Sequence, residues 1–206
     1  MRLPQMLQDP DDRRALDALR RYYGTHGMTS QFTGARFDTW DSNGTRWVDR
    51  DRFTADDLVA VSLLSVNVSA SAAILLLGPQ AHTFSDLLDA LGDDRDLAEE
   101  LRPWPDDWEG WVLFNELLKL PDVGPTTASK LLARKRPRLR PIYDSVVAEV
   151  IGSQQLWEPL RTLLTEDPAL HERLLRLRGD AGLTGDVSAL RVFDVVTWME
   201  GKFGLT

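Results

Sequence analysis

Residues 117–132 read Leu-Leu-Lys-Leu-Pro-Asp-Val-Gly-Pro-Thr-Thr-Ala-Ser-Lys-Leu-Leu, a Pro/Asp/Gly turn between two amphipathic stretches. Pro121 stops one helix, Val123 offers an apolar plug for the turn, and Gly124 provides backbone without a Cβ. Pro125 suits the first turn of the next helix, where its missing N–H would have been unpaired anyway. The N–H groups left free there, those of Thr126 and Thr127 included, combine with the positive end of the helix dipole to form a site for a phosphate. Lys130 and Arg134, spaced i and i+4, extend that site electrostatically. An ordinary helical hairpin with a solvated basic face accounts for the same residues.

Asp144 follows Pro141-Ile-Tyr and precedes an apolar segment. At a helix start its carboxylate can accept N–H bonds from Val146 or Val147, and those bonds with the dipole favour the ionised form. Capping alone explains an aspartate here, and capping is compatible with chemistry. Trp104, Trp108, Trp111 and Tyr143 lie close in sequence and could wall a pocket for a nucleobase. The tryptophan spacing is equally that of core packing.

Leu120, Pro121, Val123, Gly124, Thr127 and Ala128 match the helix-hairpin-helix signature Leu-Pro-Gly-Val-Gly-x-x-Thr-Ala, and Asp144 falls where the helix-hairpin-helix DNA glycosylases carry their catalytic aspartate. Leu64-Ser-Val-Asn67 is similar to a Leu-Ser-x-Gln segment of that superfamily, which places a polar side chain in the minor groove. The chain thus resembles the endonuclease III and adenine glycosylase superfamily over residues 53–150, as a divergent member. The resemblance implies double-stranded DNA as partner, held by its phosphate backbone through Val123, Gly124, Thr126, Thr127, Lys130, Arg134 and Asn67, with a flipped base near Tyr143, Trp108 and Trp111. Thr126 stands where relatives that also cut the backbone carry a Schiff-base lysine, so it implies base removal without strand cleavage. It also implies a monovalent cation at the hairpin carbonyls as the one cofactor. Asp122, where the family has glycine, puts a negative charge in the path of the phosphate. A non-catalytic DNA-binding module and a protein-interaction or regulatory domain on a glycosylase-like scaffold are the alternatives.

Around these residues the chain of 206 amino acids reads as mainly α. Helical patterning covers 11–23, 55–66, 69–77, 84–91, 107–120, 126–135, 145–152, 156–164, 169–178 and 187–203. In the last, Val192, Val195, Val196, Met199 and Phe203 recur on one face. Residues 36–40 and 45–48 flank an Asn-Gly pair, which predicts a small β-hairpin within 35–50. The expected organisation is an N-terminal helix and hairpin arm, 1–52, and a helical domain, 53–206, with the helix-hairpin-helix at 108–135. Residues 58–77 carry no charge, but five interrupting polar residues, and acidic residues rather than Lys or Arg ahead of them, favour two buried helices broken near Asn67 over a membrane span.

The absence of cysteine excludes disulfides, thiolate-held zinc and an iron–sulfur cluster, and three scattered histidines offer no metal site from side chains. No signal-peptide pattern opens the chain, so the expected location is cytoplasmic. The net charge is −8, yet Lys130, Arg134, Lys135, Arg136, Arg138 and Arg140 put six cations and no anion into eleven residues. That run predicts one basic patch on an acidic body.

Overall fold

The computed structural model describes residues 1–204. It contains the helices α1 (Gln5–Gln8), α2 (Arg13–Tyr23), α3 (Ala55–Ser62), α4 (Ala70–Leu77), α5 (Ala81–Leu91), α6 (Glu109–Leu118), α7 (Pro125–Lys135), α8 (Ser145–Ile151), α9 (Trp157–Glu166), α10 (Pro168–Asp180) and α11 (Ala189–Phe203). The fold is all-helical, with no strand among the described residues. Local chemistry sets many of the ends. The Gly24 that follows α2 is left-handed, at φ 72°, and its N–H closes on the Arg20 carbonyl. A reciprocal capping box between Thr54 and Asp57 starts α3. Asp144, Asp167 and Ser188 each accept a backbone N–H at the starts of α8, α10 and α11.

Two helices are enclosed along most of their length. Every residue of α11 from Ala189 to Thr197 is buried, and α1, α2, α8 and α10 pack around it. Residues Thr127 to Lys135 of α7 are likewise all buried, against α3 and α6. Such helices cannot be amphipathic in the usual sense, so the polar residues they carry must find partners inside. The apolar face anticipated for the last helix holds for Val192, Val195, Val196 and Met199, whereas Phe203 is exposed. The uncharged stretch 58–77 is divided as expected between α3 and α4, with Ser65 at φ +61° in the break. No helix among the described residues is long and apolar enough to cross a membrane.

The β-hairpin anticipated within 35–50 is absent, and so is the surface basic patch; one cause explains both. The chain bends at Asn43-Gly44, with Gly44 at φ 68°, but the segments beside the bend do not pair. Their N–H groups turn to carboxylates. Asp41 accepts from Thr45 and Arg46, and Asp56 accepts from Ser42. Their carbonyls are taken by the basic run, which points inward. Arg134 donates to Phe37 O (2.8 Å) and Trp40 O, Lys135 to Asp49 O (3.0 Å), and Arg136 to Arg50 O (3.0 Å). Arg134 and Lys135 also share the buried Asp57, at 3.2 and 2.5 Å. Residues 37–51 are therefore tied by their backbone to α7.

Candidate functional site

A cleft of about 460 Å³ opens where α7, α8 and α11 meet the segments 31–34 and 63–65. Tyr22, Phe32 and Trp198 form an aromatic wall, with Tyr22 and Phe32 stacked at 5.2 Å and Phe32 edge-on to Trp198 at 5.7 Å. Gly34 lets that wall close, because a Cβ there would come within 2.1 Å of the Tyr22 hydroxyl oxygen. The volume lies within the range of roughly 300–1,000 Å³ usual for small-ligand clefts.

Asp144 lines this cleft. Its Oδ1 accepts the Val146 N–H at 3.0 Å, which makes it the N-cap of α8. Its Oδ2 lies 3.5 Å from Lys130 Nζ, which donates to the Leu64 carbonyl at 2.9 Å. Burial pulls the Lys130 ammonium below its ordinary value, and the charge of Asp144 opposes that pull. Lys130 thus sits beside the carboxylate inside the cleft. It is not an outward extension of a phosphate site, which corrects the role expected from the i, i+4 spacing.

Two further charged residues, which the sequence reading left out, enter the cleft from α11. Arg191 is fully enclosed and donates to Tyr22 Oη (2.8 Å), Gly34 O (3.0 Å) and Asp38 Oδ2 (3.2 Å), and pairs with Asp194 Oδ2. Burial pushes the Asp194 carboxyl up to about 6, with nearby Asp144 adding to the rise and Arg191 and Lys130 opposing it. A sequence signal existed. Arg191 and Asp194 stand three apart in a run otherwise built of Val and Phe, where a charge has to be buried and paired.

The hairpin lies at the start of the helix that supplies Lys130. Val123 is buried, and its N–H bonds to the Leu120 carbonyl at 3.2 Å, as a plug for the turn requires. Asp122 takes the left-handed conformation, φ +60°, that glycine serves in the signature. Gly124 has an ordinary φ of −91°, and a Cβ built on it would meet nothing within 4 Å. The protein's own backbone therefore does not demand glycine there, contrary to the expectation of a clash. The first backbone bond of α7 is Ala128 N–H to Gly124 O, and the N–H groups of Gly124, Thr126 and Thr127 donate to no group among the described residues. Thr127 itself is buried and Thr126 half-buried. Ser69 Oγ bonds to the Pro121 carbonyl at 3.0 Å, which anchors the loop carrying exposed Asn67 beside the turn.

Other residues singled out in the sequence are committed elsewhere. Arg134 is 2% exposed and bonds inward to Asp57, Phe37 and Trp40, so burial keeps it from a phosphate. Trp108 and Trp111 do not line the cleft. With Trp104 and Trp157 they enclose the Arg140 guanidinium, whose carbon lies 4.8, 5.2, 5.1 and 3.2 Å from the respective ring centres. Tyr143 points its hydroxyl to Gln154 Oε1, at 2.9 Å, and lies outside the cleft lining. Of the six cations in the basic run only Arg138 is exposed, and it is paired with Asp96. Among the described residues no group of three or more Asp, Glu or His could hold a metal ion.

A protein-family model described as a family of unknown function (DUF6308) matches residues 15–201. No curated protein and no solved structure matches the chain.

Proposed function

The chain belongs to the DUF6308 family, whose function is unknown, and from the geometry of its cleft we propose that it binds nucleic acid and hydrolyses an N-glycosidic bond there. The observation that carries this reading is the position of Asp144. It caps a helix at the wall of an open, aromatic-sided cleft, on the segment that follows the hairpin helix. Loss of a base builds positive charge on the sugar, and a fixed carboxylate beside it stabilises that charge. The aromatic wall of Tyr22, Phe32 and Trp198 suits the flat face of an unstacked base. The open surface over Gly124, with three free N–H groups, lets a phosphate approach the backbone closely. Thr126 at the place of the Schiff-base lysine limits the chemistry to base removal. A monovalent cation held by hairpin carbonyls would offset the charge of Asp122.

Burial of the basic run favours a second reading, a protein-interaction or regulatory domain on the same scaffold, because little cationic surface is left for a phosphate backbone. One experiment separates the two. Duplex oligonucleotides, each with one damaged, mismatched or modified base, are incubated with the protein and then treated with hot alkali to break abasic sites. Cleavage at one lesion that disappears in Asp144→Asn supports base excision. No cleavage anywhere, or equal cleavage by Asp144→Asn, ends that assignment.

A further inference from the structure

The cleft holds not one carboxylate but two, in unlike surroundings. Asp144 reaches it from the start of α8, accepts a backbone N–H and has an ammonium 3.5 Å away. Asp194 reaches it from the middle of α11, is 6% exposed, and gives its Oδ2 to Arg191. Its Oδ1 accepts no hydrogen bond among the described residues. Arg191 does not belong to Asp194 alone, since the same guanidinium serves Asp38, which also receives the Tyr23 hydroxyl at 3.0 Å.

Asp38, Asp144 and Asp194 face Arg191 and Lys130, with the neutral hydroxyls of Tyr22 and Tyr23; Lys202 stands exposed at the rim, where water screens it. Two buried carboxylates, Asp38 and Asp194, share the one guanidinium of Arg191, which leaves that pair one positive charge short, while Asp144, 21% exposed, stands beside the Lys130 ammonium. A low-dielectric site corrects such a deficit by keeping a proton. Asp144 has the cap and the adjacent ammonium as partners. Asp194 has half of one guanidinium and an unused oxygen.

We propose that Asp194 is the general acid of the cleft: it holds the exchangeable proton and delivers it from Oδ1 to a ring nitrogen of the departing base. This rests on the base-removal reading and assigns the second half of its chemistry. As the N-glycosidic bond breaks, its electron pair goes to the base, which takes the Asp194 proton and leaves neutral. Asp144 stabilises the cation left on the sugar. Water then adds to the sugar carbon and returns a proton to the Asp194 carboxylate, so that one water is consumed and the acid is regenerated. Two carboxylates in unlike surroundings divide the labour in this way.

Two measurements on the full chain test the assignment. The side-chain carboxyl carbons are titrated by NMR from pH 4 to 8, with Asp194→Asn identifying the signal. A midpoint near 6 for Asp194 supports the assignment, and one below about 4.5 overturns it, since such a carboxyl has no proton to give near neutrality. Single-turnover excision is then followed against pH with whichever oligonucleotide of the panel is cut. The wild-type rate should fall above pH 6, and Asp194→Asn should lose that limb and about 10²–10⁴-fold in rate while binding the oligonucleotide unchanged. A wild-type rate that stays flat from pH 5 to 8 overturns the acid role even if Asp194→Asn fails to fold. Excision by a folded Asp194→Asn with the wild-type profile overturns the acid and leaves base removal standing. No excision by the wild type removes both.

Discussion

Two single residues carry conformations or charges that the surrounding structure has to hold in place. Asp122 is left-handed at an exposed turn, which costs a residue with a Cβ about 1–2 kcal/mol, less for aspartate than for most. Glycine removes that strain but raises unfolded-chain entropy by about 0.5–1 kcal/mol. Asp122→Gly should therefore leave stability within about 1 kcal/mol of wild type and, on the nucleic-acid-binding proposal, tighten binding of a duplex oligonucleotide by removing a negative charge from the turn. Calorimetry and fluorescence anisotropy read the two effects, and unchanged binding would show that the turn does not meet phosphate. Arg140 is the other. All three of its guanidinium nitrogens are buried without a hydrogen-bond partner, and burial pushes its pKa well below the ordinary value. Four indole faces stabilise the cation, yet an unpaired buried charge costs several kcal/mol. Arg140→Met is expected to be neutral or stabilising by about 1–4 kcal/mol, and Arg140→Lys destabilising, because a compact ammonium loses more hydration on burial than a flat guanidinium. Urea unfolding decides; a large loss in Arg140→Met would show that the tryptophan box needs its cation.

Among the elements, α7 does two jobs from its two ends. Its N-terminus presents free N–H groups at the hairpin, and its C-terminal half supplies the donors that hold 37–51 in place of a partner strand. Asp57 links α3 to the C-terminal end of α7, since it caps α3 and neutralises Arg134 and Lys135. Asp57→Ala would strand two buried cations and should cost about 3–5 kcal/mol. Hydrogen exchange should show 37–51 and the end of α7 losing protection together. A cost below about 1 kcal/mol would mean that the inward basic run is not held by this carboxylate.

For the molecule as a whole, the titration of buried acids sets the pH of greatest stability. Asp194 and Asp94 are both raised by burial to about 6 from an ordinary 3.8. A carboxyl with a raised folded-state pKa binds its proton more tightly in the native chain. Its stabilising contribution is full below pH 4 and is lost as pH rises through 6. Asp11, Asp49, Asp56 and Glu100 are lowered instead, so their contribution is lost as pH falls below about 4. The urea midpoint should therefore peak between about pH 4 and 5 and decline toward pH 6.5, with a shallower decline in Asp194→Asn. A midpoint that rises over that interval would contradict the buried, proton-holding state of Asp194.

The amino-acid sequence alone determined the helical class, the division of the uncharged stretch into two helices, and the hairpin followed by an aspartate that caps α8. These depend on local rules: turn residues, caps and periodicity act within a few positions along the chain. What the tertiary structure alone decided is which way the charged side chains point. A run of cations in sequence reads as a surface, because exposure is their usual fate, and nothing within 130–140 announces that Asp57 and the carbonyls of 37–51 wait on the inner side. The same holds for Asp194 and Arg191, which meet Asp144 and Asp38 across more than 40 and 150 positions respectively. Burial makes a charge expensive unless distant partners arrive together, and only the folded chain brings those partners to one place.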